Sequence, residues 1–217
     1  AATMNGQPGM FQHVISAGHG KVCYNVESHV NFGSTDMHQR MLGMDDILPD
    51  FLPQLGAGVK GIVFWQYRAE VLGMEAPAWG LVKTDGSDRP VTGAVRRFWA
   101  TIRPHADALR KAFPAPAEIG ILRSRKNEVF HFCTQGDVRA FNAAIEAHIT
   151  ALYWGNFPHR LVSGELLAAG ELDDLKMLVV PNGYYLTQEQ ADSLDRWVRA
   201  GGVLLCEAHL AAYNGTT

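Results

Sequence analysis

The sequence predicts an α/β chain in two parts: the closing βα units of a TIM (β/α)8 barrel, then part of a three-layer parallel α/β domain. Three observations carry that prediction. Lys21–Val26 is rich in β-formers and runs into an acid, Glu27, followed by polar Ser28, His29 and Asn31. A carboxylate at the C-terminal lip of a buried parallel strand is where an α/β barrel places its chemistry. The pattern recurs at Gly61–Tyr67 (GIVFWQY), which ends in Arg68 with Glu70 and Glu75 just beyond. After the Pro-rich stretch PAPAE (114–118), strands and helices alternate afresh, as a second three-layer domain requires.

Taken in order, Met10–Ala17 is a short amphipathic helix closed by Gly18, and Lys21–Val26 is a buried strand. Asn31–Met44 lacks periodicity and reads as a long βα loop, a length that in compact domains tends to be functional. Asp45–Leu55 is a helix capped by Asp45 or Asp46, with Ile47, Leu48, Phe51, Leu52 and Leu55 on one stripe. Pro49 fits its first turn, whereas Pro53 is expected to kink or end it. The continuous apolar run GIVFWQY predicts a strand covered on both faces. Val71–Trp79 is a loop, Gly80–Thr84 a short strand, and Asp85-Gly86 a turn. Thr92–Phe113 is a helical pair interrupted at Pro104, the last helix over the barrel.

The expected boundary follows, with residues 1–113 in the barrel part and 114–217 in the second domain. There the reading is strand Glu118–Leu122, strand Val129–Phe132, helix Val138–Trp154, strands Phe157–Val162 and Leu175–Val180, helix Gln188–Ala200 and strand Gly202–Cys206. Thr187 with Gln190 forms a capping box, and Gly201 stops the same helix.

Composition excludes several function classes. Of 217 residues 47% are hydrophobic and 19% charged, enough to bury a core. A net charge of −3 offers no basic footprint for nucleic acid. No apolar run approaches the length of a membrane span, and no signal peptide is expected. Cys23, Cys133 and Cys206 match no metal or redox spacing and are expected to be buried free thiols. A soluble, cytoplasmic protein without a metal or cofactor is the expectation. The ends, with no initiating Met and a stop shortly after a strand, read as an internal stretch of something longer.

The stretches VCYNVESHVNFG, GVKGIVFWQYRAEVLGMEAPAWGLV and DLKMLVVPNGYYLTQEQADSLDRWVRAGGVLLCEAH together resemble the β-galactosidases of glycoside hydrolase family 42. The resemblance runs from about Met10 to His209 and takes in the last two barrel strands and the first half of a trimerisation domain. It implies a flavodoxin-like or class I glutamine amidotransferase-like second domain, a homotrimer, and a retaining hydrolase of terminal β-D-galactosides. It makes Glu27 the nucleophile and Glu75, in its Gly-x-Glu context, a ligand of the galactose hydroxyls. The chain departs from the family pattern at Ala78, where a His is common, and at Phe32, which stands in for a Trp as a sugar contact. The family's acid/base Glu precedes these strands, so the resemblance implies that this chain lacks that residue and is inactive by itself.

The residues have readings of their own. A retaining glycosidase needs an ionised carboxylate beside the anomeric carbon, and a strand-end acid such as Glu27 suits that task. The alternative is an ion pair with Arg40 or Arg68. Glu75 is otherwise a loop acid. Trp65 can stack on a sugar face or pack in the core. Arg68 is expected to hold Glu27 or Glu70. His29 and His38 have no partners at metal spacing and are expected to be structural or substrate contacts. Two rival functions stand beside the hydrolase: a non-catalytic oligomerisation module, and an amidotransferase-like enzyme using Cys206. The second would want a Gly-flanked elbow, and Leu205 and Glu207 flank Cys206 instead.

Overall fold

The computed structural model describes residues 22–30 and 43–214. The predicted helix Met10–Ala17 and the positions Phe32, His38 and Arg40 lie outside the described residues. The rest falls into two compact units that divide after Pro114.

In the first unit, β1 (Cys23–Ser28) pairs in parallel with β2 (Val59–Phe64), and α1 (Met44–Gly56) lies between them in sequence. Parallel neighbours need such a crossover, because a hairpin cannot join them. Gly43, not Asp45 or Asp46, caps α1, and Asp46 reaches back from the first turn to accept the Gly43 N–H at 2.9 Å. The helix does not end at Pro53 but runs one more turn to Gly56. There Gly58, at φ 94°, turns the chain into β2. α2 (Pro90–Ile102), a 3-10 turn at Arg103–His105 and α3 (Ala106–Lys111) follow, so Pro104 does break the helical pair. The core joins Val30 and Leu81 to Ile47 and Phe51 of α1 and to Val91, Ala94, Val95 and Phe98 of α2. Phe51 and Phe98 meet edge to face at 5.2 Å.

β1 is not the buried strand its composition suggested. Val22, Tyr24 and Val26 are 61%, 58% and 75% exposed, and Val63 of β2 is exposed too. Among the described residues this sheet has two strands, and helices cover only one of its faces. A parallel sheet hides its apolar runs only when both faces are covered.

The second unit is a four-stranded parallel sheet in the order β4-β3-β5-β6, built from β3 (Ile119–Arg123), β4 (His159–Ser163), β5 (Met177–Val180) and β6 (Val203–Cys206). Alternate strand residues feed opposite faces. Leu122, Leu178 and Val180 pack with Leu167 of α6 (Gly164–Ala169) and Leu194 of α7 (Gln188–Arg199). Ile121 and Val179 pack with Phe141, Ile145 and Ile149 of α5 (Arg139–Trp154). Helices on both faces make it three-layered.

One predicted strand is wrong. Val129–Phe132 lies inside α4 (Arg125–Gln135), started by the Ser124 side chain on the Asn127 N–H and stopped by Gly136 at φ 78°. The β-formers there are outvoted by two caps and by the burial of Asn127 and His131 on one face. α6, which the sequence reading did not include, starts from the Ser163 hydroxyl on the Leu166 N–H. The cysteines are also corrected. Cys133 sits on an exposed position of α4 and Cys206 at the open end of edge strand β6, while Cys23 is half-buried.

Candidate functional site

The site sits where β1 and β2 end. Because they run parallel, with Ser28 beside Phe64, both deliver their C-terminal residues to the same lip. Glu27 is the penultimate residue of β1, and its side chain is 61% exposed. Its Oε1 lies 3.4 Å from His29 Nε2, and the His29 ring rests 4.4 Å from that of Trp79. Arg68 was expected to hold Glu27 or Glu70. Among the described residues the side chain that meets the Glu27 carboxylate is instead the His29 ring, and Arg68 forms a short bridge with Val82 through its backbone.

The loop after β2 folds back on the strand end. The Trp65 N–H donates to the Ser28 carbonyl at 2.9 Å, which carries the β1–β2 pairing one step past β2. Gln66 N–H then donates to the Trp79 carbonyl, and Leu81 N–H to the Gln66 carbonyl, each at 2.9 Å. These bonds hold Trp79, at φ 61°, over His29. The Trp65 indole Nε1 donates to Glu75 Oε2 at 3.1 Å, with the ring 43% exposed. Ala78, within this loop, is buried. The structure therefore brings Glu27, His29 and Trp79 into one contact chain and Trp65 and Glu75 into another, both rooted at the same strand ends. Phe32 lies outside the described residues.

Beneath Glu27 is a polar layer that sequence reasoning missed. Asn25 Nδ2 donates to Gln54 Oε1 of α1 at 2.8 Å, and Glu27 N–H donates to Asn25 Oδ1 at 3.1 Å. Asp50, one turn before Gln54, is pushed above the usual carboxylate range by burial, while bonds from Gln54 and Ser28 and the nearby His29 pull the other way. The available signal was two polar residues on the core side of an otherwise apolar helix stripe.

Among the described residues no group of three or more His, Cys, Asp and Glu could hold a metal ion. At the end of β6 the engaged group is Glu207, not Cys206. Glu207 Oε2 accepts the Asn182 N–H at 3.0 Å, and its Oε1 lies 4.0 Å from His148 Nδ1. No described helix is long and apolar enough to cross a membrane.

No protein-family model matches the chain, and no curated protein matches it. Solved structures do, and they define the class of fold. A β-galactosidase from Bacillus circulans sp. alkalophilus superposes with a TM-score of 0.81 at 15% identity, over 99% of this chain and 32% of that one. One from the psychrophilic Marinomonas ef1 gives 0.74 at 18% identity, over 98% and 33%. A GH42 β-galactosidase from G. stearothermophilus gives 0.69 at 19% identity, over 82% and 25%. The fold is thus that of a GH42 β-galactosidase across nearly the whole chain, and the chain spans about a third of the first two structures' length.

Proposed function

We propose that this chain supplies the nucleophile strand and a sugar-binding loop of a retaining β-galactosidase. The observation that carries the reading is the placement of Glu27 at the lip of β1, with the Trp65–Glu75 pair rooted at the adjoining end of parallel β2. Glu27 attacks the anomeric carbon of a terminal β-D-galactoside and forms a covalent glycosyl-enzyme as the aglycone oxygen leaves. A carboxylic acid from a part of the barrel outside this chain protonates that oxygen, then acts as base on the water that releases the sugar. Glu75 binds galactose hydroxyls, and Trp65 and Phe32 give aromatic contacts to the ring. A barrel needs about 250 residues, so residues 1–113 contribute two βα units and do not hydrolyse galactosides by themselves. Residues 114–217 serve self-association into a trimer in the cytoplasm.

The test is to trap the full-length enzyme with a 2-fluoro-galactoside and sequence the labelled peptide. Label on the peptide containing Glu27 is expected, and label on any other acid would overturn the assignment.

A further inference from the structure

We propose that Asn25 and Gln54 are positioning residues for the Glu27 carboxylate, anchored through Asp50 of α1. This rests on the reading of Glu27 as nucleophile. The strand that carries Glu27 is irregular just where it matters, because its register on β2 shifts between Asn25 and Ser28. Regular alternation would turn positions 25 and 28 to opposite faces. Here both engage α1. Asn25 bonds Gln54, and Ser28 bonds Asp50. Glu27 is therefore bracketed, with the residue two before it and the residue just after it both tied to one helix.

Gln54 Oε1 is taken by Asn25 Nδ2, which leaves its amide N–H groups as the ones that can face Asp50, one turn earlier on α1. Asn25 Oδ1 is then free to accept the Glu27 N–H. The chain thus runs from a half-buried acid, through two neutral amides, to the backbone of the nucleophile. Gln54 is 3% exposed and Ser28 6%, so each lost partner leaves a desolvated polar atom. Asn is a poor strand former, and Gln and Asp are costly on the face of α1 that also buries Ile47 and Phe51. Such local violations collect where function needs them. The amides add no charge beside Glu27, whose carboxylate meets the His29 ring at 3.4 Å among the described residues.

The experiment uses the full-length enzyme and an activated aryl galactoside. Asn25→Leu should lower kcat by about 10–100-fold, the range expected when a reacting group is misplaced by an ångström, with KM within a few-fold. Asn25→Ser keeps a neutral side-chain acceptor for the Glu27 N–H, though a weaker one, so part of the rate should return. Gln54→Met, close to the native volume, should act in the same direction as Asn25→Leu and serves the same comparison if that variant does not fold. The double variant should be little worse than either single one, because both break one chain. Unchanged kcat in Asn25→Leu or Gln54→Met, or an Asn25→Ser as slow as Asn25→Leu, overturns the proposal. The 2-fluoro label, read on wild type, separately reports whether Glu27 is the nucleophile.

Discussion

The indole N–H of Trp65 points at Glu75, and Nε1 and Oε2 are 3.1 Å apart. The two residues leave β2 together, one at its end and one in the loop, so the bond sets where the Glu75 carboxylate stands. Trp65→Phe keeps an aromatic face but removes the donor. In the full-length enzyme this should lower kcat/KM for a β-galactoside about tenfold, the worth of a hydrogen bond to a charged group. The loss should appear in KM, with kcat within a few-fold. Steady-state kinetics decide it, and a pure kcat effect would place Trp65 nearer the chemistry.

Cys206 should be dispensable. It is exposed at the end of an edge strand, and the polar groups around it engage Glu207 instead. Cys206→Ser should leave galactoside turnover within a few-fold of wild type. A folded variant with lost turnover would revive the amidotransferase-like alternative.

Stability should fall in mild acid because of His159. Its Nδ1 is 2.7 Å from the Phe157 carbonyl, which can only accept, so Nδ1 carries the proton. Nε2 is buried with no partner among the described residues. Burial pushes the imidazole below its ordinary 6.5, against the smaller opposing effect of the Phe157 carbonyl. A histidine with a depressed folded pKa leaves the unfolded chain binding more protons, so stability drops as pH falls through the ordinary value and levels off below the folded one. Thermal melts of the second unit from about pH 7.5 to 5.5 should show the decline, and His159→Phe should flatten it. An equal slope in the variant would assign the effect to another group.

Gln190 joins two helices with one side chain. Its Oε1 accepts the Thr187 N–H at 3.0 Å, and its Nε2 donates to the Gly164 carbonyl of α6 at 2.9 Å. Gln190→Ala therefore orphans the buried Thr187 N–H and removes a second bond from the Gly164 carbonyl, which should cost about 1–3 kcal/mol in urea unfolding of the second unit. Gln190→Glu should recover none of the Gly164 bond, since a carboxylate has nothing to donate. A cost below half a kilocalorie, about the scatter of surface substitutions, would mean that water replaces both bonds.

What the sequence determined by itself lies within a few residues along the chain. The alternation of strands and helices in the second unit, the capping box of Thr187 and Gln190 and the acid closing β1 could all be read locally, because propensity, caps and strand-end position are short-range properties. Even there, Val129, Phe130 and Phe132 misled, since strand formers sit in a helix once Ser124 and Gly136 bound it and its other face is buried. Only the tertiary structure decided which face of β1 is covered. Period-2 patterning says that Val22, Tyr24 and Val26 share a side, but not whether anything packs there. The partners at the candidate site are also a matter of tertiary structure. His29 rests on Trp79, Glu75 takes the Trp65 indole, and Asn25 reaches Gln54 on α1. Those contacts arise when loop and crossover closure bring distant residues together, and a linear pattern carries no term for that distance.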